Sequence, residues 1–191
     1  MRTIGKLAIA ILVGSALLAS GQEKSQTTNN NYYEQQLQAL KETSIGNLQS
    51  DGVTQSYRLL WLRTFHHPVV VSVDVLPDGS GRVRIKETSG QGGYAPGKLI
   101  KNDARKLTEQ ETQWFVERMR ESGFWNLPST EKQPENEITL DGATWVVEGK
   151  KDGEYHLVER YAPECADKVR NIGLTMLLNI AKLKLLYDEV Y

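Results

Sequence analysis

VVVSVDVLPDGSGRVRIKE, residues 69 to 87, decides the fold. Val69, Val71, Val73 and Val75 fall on one side of an extended chain and Val70, Ser72 and Asp74 on the other, because successive strand side chains alternate. After Pro77-Asp78-Gly79-Ser80-Gly81 the alternation resumes, with Val83 and Ile85 set against Arg82, Arg84 and Lys86. Two alternating runs around a reversal rich in proline and glycine specify a β-hairpin with one face buried and the other meeting water.

Working outward, SYRLLWLRTF (56–65) supplies a leading strand of aromatic and aliphatic residues. A second hairpin follows downstream, with ATWVVEGK (143–150) and EYHLVERY (154–161) joined through Lys151-Asp152-Gly153. The Asp-Gly pair provides the backbone geometry that a tight reversal requires. Between the hairpins, Thr108-Glu109-Gln110-Glu111 is a capping box opening a helix that carries Trp114, Phe115 and Met119 and stops at Gly123. FWNLP (124–128) folds back as an apolar plug, and STEKQPENE (129–137) is a polar loop. A long helix is expected from Pro163 and Glu164 onward, with Val169, Ile172, Met176, Leu177, Ile180 and Leu183 as its core stripe. The order predicts an α+β domain: an antiparallel β-sheet built from two hairpins plus a leading strand, with two helices packed on one face.

The amino-terminal segment changes the setting. Arg2 and Lys6 precede an uncharged apolar stretch from Leu7 to Ala19, followed by small residues, which is the layout of a secretory signal peptide over residues 1–21. That stretch is shorter than a membrane-spanning helix needs, so no span is expected once it is cleaved. Residues 22–50, rich in Gln, Asn, Ser and Thr, read as a polar tether, largely disordered, with one short helix around Tyr33 to Thr43. The domain proper is then 51–191. Cys165 is the only cysteine, so no disulfide forms within the chain, and no cysteine follows the signal segment to carry a lipid anchor. Cys165 is expected as a small buried helix residue, with a reactive thiol as the sharper alternative. Loss of Arg2 and Lys6 leaves the remainder mildly acidic with its signs mixed, which speaks against nucleic acid as a partner. Periplasm or medium is the expected location.

YRLLWLRTFHHPV, FWNLP and DGATWVVEGKKDGEYHLVERYAPE together resemble a set of uncharacterised exported bacterial proteins with one small domain. The resemblance runs over about residues 56–185. It implies an extracytoplasmic domain and brings no catalytic motif with it.

The side chains able to carry chemistry are His66, His67 and His156, with Asp74, Glu148, Glu154 and Glu159 as possible carboxylate partners. Three imidazoles and an open position would suit catalytic zinc. Neighbouring strand residues point to opposite faces, however, so His66 and His67 do not chelate one ion unless Pro68 bends the chain. No metal set, no cofactor and no nucleophile motif is expected. Glu148 and Glu159 read by default as strand residues facing solvent. The glycine cluster SGQGGYAPGK (89–98) lacks the strand and helix of a dinucleotide fingerprint and reads as a flexible surface loop. Its sharper reading is a partner-binding loop in which Gly92, Gly93 and Tyr94 make the contact, with Trp125 or Tyr161 as further aromatics.

Two functional classes follow. The preferred one is a noncatalytic module that binds an unknown protein, peptide or envelope component. The alternative is a small extracytoplasmic hydrolase, which requires His66 or His67 to reach His156 or an acid such as Glu159 inside a pocket.

Overall fold

The computed structural model describes residues 32–47, 52–131, 141–186 and 189–191. The expected signal segment, residues 22–31 of the tether and most of the polar loop after 131 lie outside the described residues. The chain divides into two compact units, 1–34 and 35–191, and the second carries the sheet.

Among the described residues, six antiparallel strands form one sheet in the order β4-β3-β2-β1-β5-β6. They are β1 (Gln55–Arg63), β2 (Val69–Val75), β3 (Gly81–Thr88), β4 (Leu99–Leu107), β5 (Ala143–Lys151) and β6 (Glu154–Tyr161). Both expected hairpins are present: Val71 faces Ile85 and Val73 faces Val83 in one, and Val147 faces Val158 in the other. Asp152 and Gly153 both have positive φ, at 52° and 81°. Adjacent positive φ values define the tight turn for which Asp-Gly is suited.

The sixth strand corrects the expected five. LIKNDARKL pairs with β3 along its length, from Gly81 opposite Leu107 to Thr88 opposite Leu99. β4 lies at the sheet edge and most of its side chains are outside the core. Its polar, charged composition therefore suits an edge and hides the strand from any alternation test.

The helices are α1 (residues 32–39), α2 (Glu109–Ser122) and α3 (Lys168–Leu174). α2 matches its punctuation, since Thr108 and Glu111 cap reciprocally and Gly123 closes the helix at φ 70°. α3 does not begin at Pro163 as expected. Asp167 is its cap, accepting from the amides of Val169 and Arg170 at 2.6 and 3.4 Å. That carboxylate satisfies the orphan donors four residues later than the proline signal. Cys165 consequently lies in the turn before the helix and is exposed, which corrects its expected burial. After Leu174 the chain continues as a π-helical segment, Thr175–Ile180, and the regular helix is shorter than the sequence pattern suggested. Val169, Ile172, Met176, Leu177 and Ile180 are nonetheless buried in one core with Phe115 and Met119 of α2. Among the described residues no helix is long and apolar enough to cross a membrane.

β1 lies between β2 and β5, and its core face presents Tyr57, Leu59 and Trp61. Trp61 stands opposite Trp145 of β5, with ring centroids 5.2 Å apart. The plug after α2 is a single 3₁₀ turn, Phe124–Asn126, whose Phe124 packs edge-on against Tyr57. Burial pushes the Tyr57 phenol up to about 12. In the unfolded chain it ionises near 10. The folded state thus retains a proton that the unfolded state releases between those values, and stability falls as pH rises through that window. Urea midpoints at pH 9 and pH 12 are expected to show a loss on the order of 2 kcal/mol from this residue. Tyr57→Phe should flatten that slope; an unchanged slope would reject the assignment.

The expectation that one sheet face meets water is also corrected. Every residue of β2 is buried, including Val70, Ser72 and Asp74 on the face away from α2 and α3. Residues 35–47 cover that second face, with Gln36, Leu40 and Ile45 buried. The tether expectation therefore fails for these residues, which belong to the domain. Leu40 and Ile45 anchor this segment together with polar contacts from the sheet to its carbonyls, although its average composition is polar.

Candidate functional site

The three histidines are held apart. His66 Nδ1 lies 2.8 Å from the Tyr191 hydroxyl. His67 Nδ1 lies 2.8 Å from Glu87 Oε1, with both side chains partly exposed. His156 donates from Nε2 to the Leu127 carbonyl at 3.0 Å and packs edge-on against Phe124. His156 stands opposite Gly149, which stands opposite Tyr57 near the start of β1, whereas His66 and His67 follow the end of β1. Opposite ends of one strand separate them.

The expected carboxylates have other partners. Asp74 accepts from Ser56 Oγ at 2.9 Å and from Arg82 at 2.8 Å. Glu154 is exposed at the β5–β6 reversal. Glu159 lies opposite Val146, on the face of β6 away from His156, and its amide donates to Ser129 O at 2.7 Å. Glu148 corrects the solvent-facing reading: it is buried, with Arg58 Nε and Nη2 both 2.6 Å from its Oε2 and the Tyr155 hydroxyl donating at 2.7 Å. Among the described residues no three His, Cys, Asp or Glu side chains converge to hold a metal.

The glycine loop is where sequence candidates do come together. Within it, the Ser89 amide donates to Lys98 O, Gly90 to Pro96 O and Gln91 to Ala95 O, at 2.8, 3.0 and 3.1 Å. The loop then docks on the turn after β1, where Gly92 donates to His66 O at 2.8 Å and Gly93 to Thr64 O at 3.0 Å. A Cβ on Gly92 would fall 2.5 Å from the Arg63 carbonyl oxygen, so this approach requires glycine. Gln36 adds a further pin, donating from Nε2 to Tyr94 O at 3.2 Å. The loop is thus tied by main-chain bonds on both sides, contrary to the flexible-loop reading.

Those bonds set Tyr94 beside Phe65, with ring centroids 6.1 Å apart and planes 29° from parallel. Both remain open to solvent, at 56% and 49% exposure. Phe65 was not legible as a site residue, since nothing in RTFHHP distinguishes it from a strand end. Trp125, by contrast, belongs to the apolar plug, packed against Phe124 and partly buried. Tyr161 closes β6 opposite Thr144.

A cleft of about 220 Å³ lies between α2 and α3, lined by Arg118, Met119, Glu121, Ser122, Asn171, Ile172 and Thr175. No histidine lines it. No family model matches the chain, and no curated protein matches it.

Proposed function

We propose that this chain is an exported, noncatalytic binding module that engages a protein, peptide or envelope component through the Phe65–Tyr94 surface. The observation that carries the reading is the pairing of two half-exposed aromatic rings on a loop fixed by backbone hydrogen bonds. Large aromatics dominate recognition surfaces because they bury much area while losing little conformational freedom. A loop already fixed before contact loses still less on binding, so more of the contact energy is expressed as affinity. His67 and Glu87 stand two residues from Phe65 and on the adjoining strand, and they supply a polar flank. A hydrolase built on an imidazole, an acid and a nucleophile would hold them in one enclosed place, whereas the His67–Glu87 pair lies on the surface.

The test compares the whole chain with Phe65→Ala/Tyr94→Ala and with Trp114→Ala, an exposed aromatic on α2. Partners recovered from an envelope fraction are to be titrated by surface plasmon resonance. The double variant is expected to bind about 30-fold more weakly, corresponding to roughly 2 kcal/mol, while Trp114→Ala binds as the parent does. Equal affinity across all three proteins would overturn the reading.

A further inference from the structure

The sheet face opposite α2 and α3 carries more charge than a covered surface requires. Arg58 of β1 is fully buried and donates to the Thr43 carbonyl at 2.7 Å, with Glu42 Oε2 at 3.5 Å. Lys86 of β3 lies 2.6 Å from Glu42 Oε1 and donates to the Lys41 carbonyl at 2.8 Å. Lys150 of β5 donates to the Gly46 carbonyl at 3.0 Å. Three cations on three strands therefore grip main-chain carbonyls of one irregular segment. The side chain they read is a single carboxylate, Glu42, flanked by the buried aliphatics Leu40 and Ile45.

Main-chain carbonyls are common to every peptide, so selectivity rests on the spacing of one acid between two aliphatics. The main-chain ladders beneath do not run through these contacts, since β1 pairs with β2 from Gln55 to Trp61 and with β5 along its whole length. Departure of the segment would leave Arg58 sharing Glu148 alone and Lys86 without its carboxylate, a state that favours capture of another acid. Covalent attachment gives the resident segment a high effective concentration on this face, which offsets part of the ordering entropy of its residues.

The geometry points to this face as a peptide-recognition surface: residues 40–45 are its resident occupant, and a partner peptide that adopts the same turn with the same aliphatic–acidic–aliphatic spacing displaces them. Gln36, which donates to Tyr94 O, is the described link to the Phe65–Tyr94 loop, and the peptide titration below does not read that loop.

The probe is a fluorescein-labelled synthetic peptide of residues 35–47, titrated by anisotropy against the full chain and against the full-length variant Leu40→Ala/Glu42→Lys. Charge reversal beside Arg58 and Lys86 ejects the resident segment and leaves the face vacant. The variant is expected to bind the peptide at least tenfold more tightly than the parent, and a peptide carrying Glu42→Lys is expected not to bind. Glu42→Gln, which removes only the charge, should give the same direction with a gain of about threefold, and serves if the double variant does not fold. A folded variant that takes up no peptide would overturn the proposal, as would one that instead exchanges segments with a second copy to form a dimer.

Discussion

Arg58→Met is expected to destabilise the domain by about 3–5 kcal/mol, the range for leaving a buried charge without its counterion. The guanidinium joins β1 to β5 through Glu148 and joins the sheet to residues 42 and 43. With it gone, Glu148 is left at 4% exposure with only the Tyr155 hydroxyl donating to it, and Glu42 retains Lys86 alone. The same reasoning predicts that Arg58→Met/Glu148→Leu recovers most of the loss, because an apolar pair of similar volume removes the unpaired charge. Urea denaturation of the parent, single and double variants checks both arms. A single variant costing about 1 kcal/mol, the scale of a solvated surface pair, would show the cluster to be ordinary.

A second large effect is expected at the contact between α3 and the sheet. Trp145 is fully buried, and truncation to alanine should cost about 3–5 kcal/mol through lost transfer energy and the cavity left behind. Gly173 is the reason the indole fits, since a Cβ there would fall 2.4 Å from two of its ring carbons. Gly173→Ala should therefore cost about 1–3 kcal/mol by overpacking. In a Trp145→Leu background the obstructing ring carbons are absent, and the same methyl should be close to neutral. A double-mutant cycle by thermal unfolding reads this coupling directly. Additive losses would mean that the helix, not the indole, sets the requirement for glycine.

What was legible in the sequence was whatever depends on near neighbours. The valine alternation of β2, the Asp152-Gly153 reversal and the Thr108–Glu111 box each encode their own geometry within a few residues, and each is found in place. β4 was not legible because an edge strand needs no apolar face. The start of α3 was misplaced because two start signals stand in tandem, and Asp167 outcompetes Pro163 by reaching the amides. The covered second face was hidden because its logic is long-range: Arg58 and Glu148 are separated by 90 residues. The segment that shields them carries only Leu40 and Ile45 as its buried aliphatics. At the candidate site, the glycines of residues 89–98 read by default as a flexible loop, because the close approach of Gly92 to Arg63 that requires glycine is a long-range contact. The identity of its neighbour, Phe65, emerged only when the loop's amides found Thr64 and His66.

The strand order has a kinetic consequence. β1 to β4 run up and down in sequence, so each of their ladders can close between adjacent stretches of chain. The opposite edge of β1 waits for β5, which follows only after β4 and α2 have been made, and joining them closes a far longer loop. Loop entropy is surrendered there before any contact is returned, so refolding is expected to be slowest at this seam, and a destabilising change on the β5 edge should slow folding more than one on β4. The central strand thus matures at two speeds: its β2 edge belongs to the early nucleus, and its β5 edge to the barrier.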